Sequence, residues 1–259
     1  MSGADEPALL AIAREVADAA AEELRSRFGE TAEGVHSKST PTDLASEADL
    51  AAESAIRRRL AERRPDDAIL GEEEGATGQG ELRWVVDPLD GTVNYLFGIP
   101  AFAVSVACED AEGALAGVVL DPVRDECFAA TRSGPPTLNG LVISGSRQSE
   151  LATAMVATGF GYDADVRARQ AEVVARVLPR ARDIRRFGAA ALDLAWCACG
   201  RWDAYYERGV KPWDVAAGAL ICRRAGLEVR RLEPAGKDAA GLVVAPGGLI
   251  EELYELVAA

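Results

Sequence analysis

Histidine is almost missing from these 259 residues: His36 is the only one, which argues against a histidine-based triad and against a His-rich zinc site. Cysteine is sparse and unpaired. Cys108, Cys127, Cys197, Cys199 and Cys222 are an odd, scattered set with no C-x-x-C spacing, so they read as free thiols. Positive charge is also short: 28 Lys and Arg against 42 Asp and Glu give a net charge of −14. A phosphate backbone would be repelled at long range, so nucleic acid is not an expected ligand. No apolar run approaches the roughly 18 residues a membrane span requires, and Met1–Pro7 lacks the basic and apolar regions of a signal peptide. A cytoplasmic protein without a membrane segment is therefore expected. With so few cations of its own, the chain would need bound divalent metal to hold an anionic substrate.

What is present is ordinary globular composition, 49% hydrophobic and 27% charged, enough for a core without disulfides. Leu9, Ile12, Val16, Ala20, Leu24 and Phe28 recur every three or four positions and predict a helix over Pro7–Phe28. Ser46-x-x-Asp49 reads as a capping box opening a second helix that ends near Arg64-Pro65. Short apolar runs at Arg83–Val86, Phe102–Ala107, Gly113–Leu120 and Glu126–Thr131 predict a sheet. After Asn139-Gly140 strands and helices alternate, with strands at Ala154–Thr158, Asp183–Arg186, Asp203–Glu207, Leu227–Arg230 and Leu242–Ala245. Helices are expected at Val166–Leu178, at Ala189–Cys199, from Trp213 and from Leu249. The class is mixed α/β in one unit over residues 1–259, with halves 1–140 and 141–259 meeting at one cleft. His36 is expected in an exposed loop.

Three acidic stretches stand at element boundaries. Trp84-Val85-Val86-Asp87-Pro88-Leu89-Asp90-Gly91-Thr92-Val93-Asn94-Tyr95 runs a strand through an acid, a Pro turn and a second acid into a helix start, where outward N–H groups suit a phosphate. Asp87 as a turn former and Asp90 as an N-cap are the plainer alternatives. Gly71-Glu72-Glu73-Glu74-Gly75 follows the short strand Ala68-Ile69-Leu70 and could be a solvated acidic loop. Asp214, in Pro212-Trp213-Asp214-Val215-Ala216-Ala217-Gly218, stands at a helix start and could simply cap it. If Glu72, Asp87, Asp90 and Asp214 converge, their repulsion is about 4 kcal/mol per pair at about 4 Å and an effective dielectric of about 20. Only cations would hold such a cluster ionised. All-oxygen donors with room for substrate favour Mg²⁺, and the chemistry implied is metal-assisted phosphoryl transfer to water.

The ordered set Gly71-Glu72-Glu73, Asp87-Pro88-Leu89-Asp90-Gly91-Thr92-Val93-Asn94 and Pro212-Trp213-Asp214-Val215-Ala216-Ala217-Gly218 resembles the inositol monophosphatase family of magnesium-dependent, lithium-sensitive phosphatases. Gly188-Ala189-Ala190-Ala191-Leu192-Asp193-Leu194 and Gly200-Arg201-Trp202-Asp203-Ala204-Tyr205-Tyr206-Glu207 look most like its bacterial, SuhB-type members. The resemblance implies a layered αβαβα sandwich, usually a homodimer. It implies that Glu72, Asp87 and the Leu89 carbonyl hold a first metal, and that Asp87, Asp90 and Asp214 share a second, with Glu73 and Thr92 flanking the site. Gly91 and Thr92 N–H groups would cradle the phosphate of a small-molecule ester. Asp49 and Thr92 match the pair that orients or deprotonates the attacking water, although Asp49 also fits its capping box. Lys38 matches a lysine near the metal cluster, Glu207 an inositol-contacting glutamate, and Gly188 and Ala190 the backbone lining the sugar. Ala189 departs from the usual Ser or Thr and removes a hydroxyl, which loosens the expected selectivity for inositol. Two rivals go with the resemblance: a histidinol-phosphate phosphatase of the same superfamily, and a protein that contacts the transcription machinery.

Overall fold

In the computed structural model, which describes residues 5–29, 36–37 and 44–259, the Asp5 carboxylate accepts from the Ala8 N–H at 3.2 Å and caps helix α1 (Glu6–Arg27). Leu9, Ile12, Val16, Ala20 and Leu24 are buried along α1, the stripe their spacing predicts. Two short strands, β1 (His36–Ser37) and β2 (Leu44–Ala45), pair antiparallel before α2 (Glu47–Arg63). The His36 backbone thus lies in a strand opposite Ala45 rather than in a loop, a pairing too short for periodicity to register. The capping box of α2 forms as expected: the Ser46 N–H and hydroxyl both donate to Asp49 Oδ2, at 2.8 and 2.7 Å.

An eight-stranded sheet follows. Its strands are β3 (Ala68–Gly71), β4 (Gly75–Thr77), β5 (Arg83–Asp90), then, after the short helix α3 (Thr92–Leu96), β6 (Ala103–Asp110), β7 (Gly113–Asp121), β8 (Glu126–Thr131), β9 (Thr137–Leu138) and β10 (Leu141–Val142). The spatial order is β10-β9-β8-β7-β6-β5-β3-β4, and only β3 and β5 run parallel. The expected Pro turn after Asp87 is instead part of β5. The strand continues to Asp90 with a register shift between Asp87 and Asp90, and the bulge accommodates Pro88, which has no N–H for the ladder. Asn139 and Gly140, both with positive φ, are the turn of the β9–β10 hairpin.

The chain leaves this sheet after Val142 and enters a second one at β11 (Met155–Thr158). Then come α4 (Ala164–Val177), β12 (Asp183–Arg185), α5 (Ala190–Ala198), β13 (Ala204–Arg208), α6 (Pro212–Arg224), β14 (Glu228–Leu232), β15 (Gly241–Ala245) and α7 (Ile250–Ala258). The five strands lie in the order β12-β11-β13-β15-β14. Helices α1 and α2 cover one face of the large sheet, α5 and α6 fill the space between the sheets, and α4 and α7 cover the outer face of the second. Three buried cores lie among the five layers, the middle one reaching both faces of the α5–α6 layer, so the αβαβα order expected above is the one observed. Trp84, Phe102, Phe128 and Tyr205 are fully buried within them, each contributing about 1.5–3 kcal/mol or more by leaving water.

Candidate active site

The C-terminal end of β5 carries the chemistry. Asp87 is buried, and its Oδ1 accepts from the Leu89 N–H at 3.0 Å, which holds the bulge in shape. Gly91 follows with φ +93°, and a Cβ there would stand 3.0 Å from the Ala101 carbonyl oxygen and 3.1 Å from Ala189 Cβ, so only glycine fits. Thr92 opens α3. Its hydroxyl lies 3.0 Å from Asp49 Oδ1 and 3.1 Å from the Leu89 carbonyl oxygen, and its one proton goes to one of them at a time. Asp49 thus caps α2 through Oδ2 while its Oδ1 faces the Thr92 hydroxyl.

Parallel pairing sets Gly71 of β3 opposite Val86 of β5, so the Glu72–Glu74 turn stands beside Asp87. The Glu72 carboxyl is a close neighbour of the Asp87 carboxyl. Burial, then the charges of Glu72, Asp90 and Asp214, push the Asp87 carboxyl well above the ordinary carboxylate range. Asp90 reaches across to α5 and accepts from the N–H groups of Ala190 (3.0 Å), Ala191 (2.7 Å) and Leu192 (3.3 Å). It caps a helix whose own N-cap, Ala189, has no side chain for the task. Burial raises the Asp90 pKa to about 7, with these three N–H bonds opposing it and Glu207 adding to it. Asp214 sits in the first turn of α6 and accepts from the Lys211 N–H at 2.7 Å. Its pKa rises to about 8 through burial and then the charge of Asp90. On β13, Glu207 accepts from the Tyr205 hydroxyl at 2.6 Å, and burial is the first cause lifting its pKa to about 7, with Asp214 adding to it.

These groups fit a hard divalent cation by their chemistry. The donors are all oxygen, they come from the β3–β4 turn, β5 and α6, and each raises the charge cost of its neighbours. Asp90 and Asp214 each turn oxygens toward backbone N–H groups, yet a carboxylate oxygen keeps a second lone pair for a cation. Among the described residues, no three or more histidine, cysteine, aspartate or glutamate side chains are grouped so that they could hold a metal ion by themselves. The Leu89 carbonyl oxygen lies at the same spot, 3.1 Å from the Thr92 hydroxyl.

Gly188 has φ +82° beside the Arg186 guanidinium, and Ala190 is buried with its N–H given to Asp90. Glu73 lies in the turn with its N–H donated to Glu53. Lys38 lies outside the described residues. Three participants escaped the sequence reading. Asp193 is fully buried on α5, neither oxygen has a hydrogen-bond partner among the described residues, and burial followed by the charges of Glu207 and Asp90 pushes its carboxyl well up. Its signal was there: it is the only charge among the nine residues of α5. Arg186 acts on both Glu207 and Asp193 and stacks over Phe160 at 5.6 Å. Glu53 is the third.

A sequence profile described as the inositol monophosphatase family matches residues 5–258. The inositol-1-monophosphatase SuhB of Mycobacterium tuberculosis H37Rv is 44% identical over 239 residues, spanning 88% of this chain and 82% of that protein. The Nus factor SuhB of Xylella fastidiosa is 46% identical over 185 residues, 71% of this chain and 67% of that protein. Among solved structures, the extragenic suppressor protein suhB of Bartonella henselae superposes with a TM-score of 0.89 at 33% identity, covering 96% of this chain and 98% of that one. The chain belongs to the inositol monophosphatase family.

Proposed function

We propose that this protein is a Mg²⁺-dependent phosphomonoesterase that hydrolyses inositol monophosphate, and related polyol phosphates, to the alcohol and inorganic phosphate. The observation that carries the reading is that Glu72, Asp87, Asp90 and Asp214, from three separate elements, lie near enough to raise one another's charge cost, in a region that also holds the Thr92–Asp49 hydrogen bond. Family membership and the monophosphatase names of the relatives support the same reaction. Bound Mg²⁺ supplies Lewis acidity, making water a better nucleophile and offsetting charge on the phosphate and the leaving oxygen. Glu72, Asp87, Asp90, Asp214 and the Leu89 carbonyl would hold it.

The chain's own residues do the rest. Thr92 orients the attacking water through its hydroxyl, and Asp49 Oδ1 takes the proton that the hydroxyl passes on. Gly91 and Thr92 N–H groups cradle the phosphate. Glu207, aimed by the Tyr205 hydroxyl, accepts from a substrate hydroxyl, with Gly188 and Ala190 lining the ring. Ala189 adds no hydroxyl, so polyols other than inositol meet little penalty. Lithium, a small hard cation, competes for the same oxygens.

The test is a substrate panel on purified protein. Inositol 1-phosphate, 2′-AMP and glycerol 2-phosphate are expected to release phosphate with Mg²⁺ and not with EDTA, and histidinol phosphate to give a kcat/KM at least about tenfold lower. No release from the first three rejects the proposal, and preference for histidinol phosphate replaces the substrate. The homodimer and the cytoplasmic location belong to the same proposal; described helices include none long and apolar enough to cross a membrane. The name Nus factor on the Xylella relative favours a second role, contact with the transcription machinery. RNA polymerase retained equally by wild type and by Asp214→Asn would separate that role from catalysis.

A further inference from the structure

Glu53 lies one turn after Asp49 on α2, so the two side chains leave the same helical face. An acid four residues before an arginine on a helix is ordinarily a solvated pair of little consequence. Here the Glu53 side chain is fully buried and its oxygens are given to the acidic turn. Oε2 accepts from the Glu73 N–H at 2.8 Å and Oε1 from the Glu74 N–H at 3.1 Å. Adjacent N–H groups bonded to both oxygens of one carboxylate fix the plane of the turn, as charge-assisted bonds do.

Arg57 completes the clamp. Its Nε donates to Glu53 Oε1 at 2.8 Å, one terminal nitrogen to the Gly75 carbonyl at 2.7 Å and the other to the Thr77 hydroxyl at 2.8 Å. The guanidinium therefore neutralises Glu53 and pins the far side of the hairpin. The contact is close enough that a Cβ on Gly71 would stand 2.2 Å from Glu53 Oε1. Helix α2 thus touches both halves of the candidate site, through Asp49 at Thr92 and through Glu53 at the turn bearing Glu72 and Glu73.

We propose that Glu53, with Arg57 as its counterion, is a positioning residue that sets the place of the Glu72–Glu73 turn and so the affinity of the site for its divalent cation. This rests on the phosphatase reading above, and it concerns how the site is held rather than which residues ligate. Residues that orient ligands typically change metal affinity by about 10–100-fold.

Glu53→Gln keeps the size and one acceptor, turns an NH₂ group toward one of the turn's N–H groups and removes the charge facing Arg57. Two measurements test it. Hydrogen exchange at whichever of the Glu73 and Glu74 amides then faces the NH₂ group should quicken by at least about tenfold in metal-free protein, since that amide loses its acceptor. Calorimetric Mg²⁺ binding should weaken by about 10–100-fold, while kcat at saturating Mg²⁺ stays within about threefold of wild type. Arg57→Lys keeps charge but loses the fork, and carries the same prediction should Glu53→Gln not fold. Glu62→Gln, on the exposed Arg59–Glu62 pair of the same helix, should bind Mg²⁺ as wild type does. Wild-type Mg²⁺ affinity in folded Glu53→Gln and Arg57→Lys overturns the inference alone. Wild-type protein that takes up no Mg²⁺ overturns the phosphatase reading and this one together.

Discussion

At the scale of the residue, the proposed reaction turns on Asp49 and Thr92, whose side chains lie 3.0 Å apart. In Asp49→Asn the amide oxygen can still cap α2, but the NH₂ group then faces the Thr92 hydroxyl and cannot take its proton. Turnover is expected to fall by about 10²–10⁴-fold, the usual contribution of a positioned base, with far-UV circular dichroism unchanged. Wild-type turnover with intact helicity would reduce Asp49 to its cap. Asp87 and Asp90 stand out in the sequence at the end of an apolar strand, Glu72 just after one and Asp214 at a helix start. Glu53 does not: Glu53-Ser54-Ala55-Ile56-Arg57 reads as an exposed helical pair, and its partners lie 20 and 21 residues away. Asp193 stands out as the lone charge of an apolar helix, yet its burial depends on the layers packed on both sides of it.

Among the elements, the junction of β5, α3 and α5 bears the tightest constraint. Gly91 is held at positive φ between the Ala101 carbonyl and Ala189, and the residue before it caps α5 from 100 positions away. Gly91→Ala should cost about 1–3 kcal/mol in backbone strain, read as a Tm lower by roughly 3–10 °C; an unchanged Tm would mean that the junction relaxes freely. The long helices and the central strands follow from their periodicity, and the box at Ser46 and Asp49 marks the start of α2 as the sequence indicates. The two-residue strands β1, β2, β9 and β10 do not, because so few residues contain no period. Nor does the cap on α5. Ala189 looks like a defect until Asp90 arrives from the other half of the chain, which no local pattern conveys.

Taken whole, the fold gathers acids from the β3–β4 turn, the end of β5 and the start of α6 into one place, and without a cation that gathering opposes folding. Asp90 near 7 and Asp214 near 8 lie above their ordinary value of 3.8, with Asp87 raised as well. Below 3.8 these groups are protonated in both states and contribute nothing. As pH climbs, the unfolded chain releases protons that the folded chain retains, so stability in EDTA falls from about pH 4 to about pH 8. Thermal melts in EDTA should show Tm declining over that range, with Mg²⁺ restoring more at pH 8 than at pH 5; a Tm rising with pH in EDTA, equally in Asp214→Asn, would count against the cluster. The central claim is that these separated carboxylates act together on a phosphate ester through Mg²⁺. Phosphate release from inositol 1-phosphate by wild type and Asp214→Asn, followed across a Mg²⁺ series with an EDTA control, tests it most directly. Mg²⁺-dependent release is expected in wild type, none in EDTA, and a kcat/KM lower by at least about 100-fold in Asp214→Asn; release that survives EDTA, or an Asp214→Asn enzyme as active as wild type, would rule this chemistry out.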